Sequence, residues 1–492
     1  MKRYIFSLIL LLFIFVISSN AFAVTEICVR PAADCTGDDS GSDWNNAKPM
    51  PLGNVDGPWQ TFWKRGDTGA VYYIADGTYI GGRVLFNEPA DGTKIITFKK
   101  ATVDDHHTDT GWSSALGDGQ AIFRSAGDAT IWWIKSDYWD IDGQVGSGGN
   151  PDDYGFYVTR TYEDCVGLTR SDLITVGSWG IGNPSHINFK HIASTNCDCP
   201  NNTVGQDFDI PQDNFYGAPQ STRITDVNIS YCFMEKAQNN LMMRRWDDST
   251  IEYSFFYDNW STAAMHGQQV SPGIAKNIII KYNIFKDSIA SAILFHAETL
   301  DPNENWQVYG NIVYQSGVGD GFDAGLATGA FGTGNTGKNY IVQNVGIYNN
   351  TLVNLTGTTG IFYGSPSDGG IGNTAYNNLW YNCQNPNIIG GTGIYATAHD
   401  YNAFFNCTGN IPSSANIQIG SIDPFVDSAN YNFHLATATQ NGKSDLGSPY
   451  NIDFDGGDLR GTDGVWDLGA FEYSGAVQLP NPPTGLTIVT PQ

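Results

Sequence analysis

The sequence predicts an all-β solenoid, one chain wound into stacked turns of short strands, on three observations. First, a short phrase returns along the middle of the chain. It reads Ile229-Ser230-Tyr231-Cys232-Phe233, Ile251-Glu252-Tyr253-Ser254-Phe255, Ile280-Lys281-Tyr282-Asn283-Ile284 and Val308-Tyr309-Gly310-Asn311-Ile312, and returns around Asn350, Asn378 and Asn402. Its steps are 22, 29, 28, 39, 28 and 24 residues, a repeat length of stacked units rather than of a sandwich. Second, the runs between breaks are short, alternating, and rich in β-branched and aromatic residues, so they read as strands. Third, one position of the phrase holds Cys232, Ser254, Asn283, Asn311, Asn350, Asn378 and Asn402. A side-chain amide both donates and accepts, so stacked Asn residues can bond the turns above and below. Four residues on, a second column reads Lys236, Asp258, Asp287, Gln315, Asn354, Asn382 and Asn406.

On that amide column the chain resembles the secreted, right-handed parallel β-helix proteins of pectate-lyase-like architecture. The resemblance implies a single-stranded right-handed parallel β-helix of roughly a dozen turns with an N-terminal cap.

The elements follow in order. Residues 1–23 read as a signal peptide: Lys2 and Arg3, an apolar core from Ile5 to Ile17, and the small-residue site Ala21-Phe22-Ala23. That core is too short for a membrane span, so the chain is expected to be exported, secreted or held at the cell surface. Residues 24–65 hold Trp44, Trp59, Phe62 and Trp63 and read as a cap on the exposed solenoid end. The helix is expected over 66–473, with strands at Val71–Ile74, Ile95–Phe98, Ile131–Ile134 and Tyr138–Gly143. Ile187–Ile192 reads as an earlier turn, with Lys190 in the amide position. Ile422–Phe425 and Asn432–Leu435 read as closing strands, and Asp467–Tyr473 resembles a tail common in bacterial β-helix proteins. Residues 474–492 form a Pro-rich linker resembling the start of a fibronectin type III module.

Composition limits the partners. The formal net charge is −25, which excludes nucleic-acid binding by phosphate neutralisation. Only 15% of residues are charged, so Asn, Ser, Thr, Gly and Tyr must cover the surface, which suits an extracellular, sugar-facing monomer. Calcium is the one cofactor the acidic loops suggest, at Asp207, Asp209 and Asp213 and at Asp453, Asp455, Asp458 and Asp463, although neither stretch has an ordered ligand series. No metal-ligand set is assigned. The eight cysteines fit an oxidising compartment. Cys383 and Cys407 each follow their column Asn by five residues and stack within bridging range, and Cys28 and Cys35 are local partners.

Counting forward from the amide column gives the candidate site. Met243, Met265, Phe295, Phe322 and Phe362 are expected inside, so the next residue of each strand points outward. That line reads Arg244, His266, His296, Asp323 and Tyr363, with Trp246, Gln268 and Glu298 two residues further on. The residues preceding the expected core positions, Met242 and Leu294 among them, form an apolar margin. Two histidines between an Arg and an Asp can share acid and base roles near neutral pH. A ladder repeated on a solvent face is the competing reading.

The resemblance favours enzymes acting on polysaccharide. A polysaccharide lyase cleaving uronic-acid polymers by β-elimination would use Arg244 on the carboxylate, His266 and His296 in proton transfer, and Trp246 against a sugar ring. The motif set of the polygalacturonases is absent, and no pectate-lyase signature is present. A non-catalytic glycan-binding or adhesin-like surface protein, and a glycoside hydrolase using Glu298 with Asp323, are the alternatives.

Overall fold

The computed structural model describes residues 24–51, 59–125, 130–161, 164, 172–177, 184–196, 213–217, 223–237, 239–259, 268–289, 291–295, 303–317, 329–333, 342–356, 360–363, 372–386, 398–456 and 460–473. The expected signal peptide and Pro-rich linker lie outside these residues.

The chain forms a right-handed parallel β-helix. Each turn lays one strand on each of three parallel ladders. The first ladder runs from Thr25–Arg30 through Ala70–Ile74, Ile96–Lys100, Trp139–Asp142 and Ser185–Lys190 to Ala398–Asp400. Its opening strand comes from the segment expected as a cap. The second ladder is a sheet of 12 parallel strands from Gly77–Ile80 to Gln418–Gly420. The third runs from Val84–Phe86 through Trp132–Ile134 and Ile174–Val176 to Gly360–Tyr363. Inward side chains meet in one core, with Trp63, Phe86, Phe98, Trp132 and Trp139 crowding its N-terminal end.

The amide column makes the bend between the first and second ladders. Asn283, Asn311, Asn350 and Asn378 are buried. Each Asn Oδ1 accepts the backbone N–H and, where that is also an Asn, the side-chain N–H of the preceding member, as in Asn311 N to Asn350 Oδ1 at 3.0 Å and Asn311 Nδ2 to the same oxygen at 3.0 Å. The Nδ2 also donates to carbonyls, Ile280 O at 2.9 Å and Tyr309 O at 3.1 Å for Asn311. Ser254 does the same with one hydroxyl, accepting from Cys232 N at 3.1 Å and donating to Glu252 O at 3.0 Å. Lys190 is not in this column. It pairs in register with Ser230, two residues before the bend, and reaches Asp140 at 3.1 Å across the outer face.

A second polar ladder makes the bend from the third ladder into the first. Asp226, Asp248, Asn277, Asn305 and Asn344 all have left-handed φ, between 51° and 59°. Short polar side chains tolerate that region and can bond locally. Asn277 Nδ2 donates to Asp248 Oδ1 at 2.7 Å and Asn305 Nδ2 to Asn277 Oδ1 at 2.9 Å.

After the last strand the chain doubles back as a strap. A short antiparallel pair, Phe425–Asp427 with Asn432–Leu435, begins it. The strap covers the outer side of the second ladder, where Ile284, Ile312, Tyr314, Val353, Leu379 and Phe405 share a second apolar cluster with Phe425, Phe433, Leu468 and Phe471. Among the described residues, no helix is long and apolar enough to cross a membrane.

Candidate functional site

The three outer faces of the helix differ. The first ladder carries ion pairs between neighbouring turns: Lys190–Asp140, His191–Asp142 at 2.8 Å, Lys281–Glu252 at 2.8 Å and Lys276–Glu304 at 3.4 Å. His191 also opens an aromatic stack through Tyr231, Tyr253 and Tyr282, with ring spacings of 5.2–5.3 Å. Such pairs are the ordinary dress of a solvated face and contribute little each. The second ladder lies beneath the strap. The third ladder is the face on which the counted site residues are expected.

On the third ladder Ile174, Leu241, Val270, Ile293 and Phe331 face the core, and Phe215 and Ile361 are level with them. The alternate register turns away from that core; among its described side chains Trp133 and Leu294 are half-buried, and Thr175, Met242 and Ser271 are buried. It passes from Trp133 to Thr175, Tyr216, Met242 and Ser271. Leu294 follows Ile293 as Ser271 follows Val270, and the line continues to Gly332 and Tyr363. It is one residue per turn, mostly aromatic or apolar.

Cations meet this line at Trp133. The Lys135 ammonium lies 3.9 Å from the indole centroid and the Arg83 guanidinium 4.7 Å from it. The indole N–H donates to Gly177 O at 2.8 Å, which fixes the ring across the next turn. The sequence does hold the signal: Trp132-Trp133 must send one indole inward and one outward on a strand. Trp132 is buried in the core, and Trp133 is the outward one.

The counted line of site residues is not reproduced as counted. Met243 and Phe295 do face the core, and both are fully buried. The residue level with Arg244 in the next turn is Ile274, eight positions beyond His266, and Phe295 is level with Thr333 rather than Phe322. Connections from the second ladder to the third differ in length from turn to turn, so a fixed count drifts. Trp246, expected to face out, is buried in the core. The register shifts on both sides of Arg244, and Arg245 has φ of 56°, so parity flips between Met243 and Trp246. Gln268, also expected outward, is buried beside the bend, level with Ser291. Tyr363 is level with Gly332, across a register shift from the Phe331–Ile361 pair. The margin pair Met242 and Leu294 does share one line. His266, His296, Glu298 and Asp323 lie outside the described residues, as do Met265 and Phe322.

Among the described residues, no group of three or more His, Cys, Asp or Glu is placed to hold a metal ion. The carboxylates of the suggested C-terminal calcium loop face different partners: Asp453 Oδ2 accepts from Glu472 N at 3.3 Å, and Asp455 meets His434 at 3.0 Å. No disulfide is formed among the described cysteines. Cys35, expected to pair with Cys28, instead donates to Pro31 O at 3.6 Å.

Comparison with known structures returns the following likenesses. A pectate lyase, Pel9A, is similar over 92% of this chain and 97% of its own, at a TM-score of 0.44 and 13% identity. An alginate lyase, AlyGC, is similar over 80% of this chain and 53% of its own (TM-score 0.40, 13% identity). XylC, in its complex with xylose, covers 81% of this chain and 87% of its own (TM-score 0.41, 8% identity). No family model matches the chain, and no curated protein matches it in sequence. Identities this low say nothing of chemistry, which belongs to side chains carried on the winding.

Proposed function

We propose that this is an exported protein that acts on an extracellular polysaccharide lying along the third ladder, and that it cleaves uronic-acid polymers by β-elimination. The supporting observation is the line of level residues from Trp133 to Tyr363. It advances one register position per turn from Trp133, whose indole meets both Arg83 and Lys135, in a chain of net charge −25. An extended polymer matches a repeating face better than a compact ligand does. Local cations on an acidic protein favour sugar carboxylates over neutral sugars.

In this reading Arg244 neutralises the carboxylate beside the proton to be removed, His266 takes that proton, and His296 or Tyr363 protonates the leaving oxygen, with Asp323 favouring the imidazolium. The test is a panel of uronic-acid polymers, followed by the absorbance of the unsaturated product. A lyase gives that absorbance, and His266→Ala and His296→Ala abolish it. Reducing ends without unsaturated ends identify a hydrolase. Retention of polymer without cleavage identifies a glycan-binding surface protein.

A further inference from the structure

We propose that Cys383 and Cys407 close into a disulfide that staples the last turns of the helix. Tyr381 pairs with Phe405, and Gln384 bridges to Thr408, so the two cysteines stand level in adjacent turns. Stacked strands lie ~4.8 Å apart, inside the Cα separation of roughly 4.4–6.8 Å that a disulfide spans. Cys383 is 1% exposed, and Cys407 packs against the same core from a half-buried position. The Cys383 thiol donates to Leu352 O at 3.5 Å and Tyr381 O at 3.3 Å, and the Cys407 thiol to Phe405 O at 3.4 Å, the last two being the carbonyls two residues before each cysteine.

The position gives the bond a use. Gln418–Gly420 is the end of the second ladder, one turn beyond Cys407, and pairs on one side only. Ile419 stands on the core register, level with Phe404, yet is 64% exposed, and Ile422 is 79% exposed. An open solenoid end is where turns fray. A covalent link between the two preceding turns limits how far that opening travels.

The chemistry needs an oxidant in disulfide form, such as oxidised glutathione. Cys407 is the more accessible sulfur, and the Cys383 side chain beside it holds its thiol below the usual range, while burial pushes the Cys383 thiol up. The Cys407 thiolate attacks the oxidant, forms a mixed disulfide and releases one glutathione. Cys383 then loses its proton, attacks the Cys407 sulfur and releases the second. Two electrons pass from the protein thiols to the oxidant, and their two protons go to the two leaving thiolates.

The full chain is incubated with oxidised glutathione or with dithiothreitol, denatured, alkylated and digested. We expect one linked peptide pair containing Cys383 and Cys407 in the oxidised sample, and a melting temperature several degrees above that of the reduced sample. Both cysteines recovered as separate alkylated peptides, or Cys407 recovered as a lasting glutathione adduct, would overturn the proposal. Oxidised Cys383→Ser should carry glutathione on Cys407, and an unmodified Cys407 there would overturn the assigned order of attack. The double serine variant, compared by circular dichroism, separates loss of the bond from loss of the fold.

Discussion

A single side chain does most to define this fold at the residue scale. Asn311 accepts from the backbone and side chain of Asn283, and donates to Ile280 O, Tyr309 O and Asn350 Oδ1, with no exposure to water. Asn311→Ala removes every one of these partners inside the core. Each buried group left unpaired costs roughly 1–3 kcal/mol, so the expected loss is about 3 kcal/mol or more, read by denaturant unfolding. Asn311→Asp keeps the two acceptances but turns a charge toward three oxygens, and should cost more than Ala. This column was legible because its residue type repeats at uneven steps that chance does not reproduce. The opposite bend was equally present: Asp226, Asp248, Asn277, Asn305 and Asn344 repeat with the same steps as the first column from Cys232 to Asn350. It escaped reading because two acids give way to three amides there, and what they share is left-handed backbone rather than one functional group.

The strap decides behaviour at the scale of elements. Gly469 has φ of 95°, and a Cβ there would stand 2.7 Å from Thr351 Oγ1 and 3.1 Å from Leu379 Cβ. Gly469→Ala should therefore lift the strap, cost a few kcal/mol through strain and lost packing, and open residues 422–473 to limited proteolysis before the helix itself is cut. The strap is pinned from behind by Arg460, which donates to Asp467 O, Gly469 O and Ala470 O, and by Glu472, which accepts from Gly461 N at 2.7 Å and Asp467 N at 3.0 Å. Burial pushes the Glu472 carboxyl up to about 7 from its ordinary 4.5, and raises Asp467 as well. A raised acid binds its proton more tightly folded than unfolded. Its stabilisation is complete below the unfolded value near 4.5 and is lost as pH climbs through about 7. Thermal melts should fall between pH 5 and pH 8 by the equivalent of about 3 kcal/mol, and Glu472→Gln should flatten that slope. At lower pH the opposite sign takes over, because hydrogen bonds and nearby cations hold Asp142 and Asp164 below the usual carboxylate range. The Asp467–Tyr473 tail is read by resemblance, and it holds Gly469 where the strap's backbone comes close to the second ladder. The site was less readable than the strap because its register depends on connection lengths, which leave no periodic trace.

At the scale of the whole molecule the winding itself sets how a polymer would be held. The line of level residues from Trp133 to Tyr363 passes through eight register positions on the third ladder. Seven steps of ~4.8 Å give a face about 34 Å long. Binding along that face should strengthen with oligosaccharide length until the ligand spans it, and then level off. Trp133 lies at one end of the line, and Arg244 belongs to the strand that carries Met242, near its middle. Trp133→Ala with Lys135→Ala should then weaken only ligands long enough to reach that end, lowering their affinity several-fold and reducing its salt dependence, while short oligomers bind as before. Titration calorimetry over a length series of uronic-acid oligosaccharides reads both effects. An affinity that is independent of length, or a double variant that weakens the shortest ligands equally, would place the sugar in a local pocket. The stacking of turns would then serve as scaffold for that pocket and not as the binding surface.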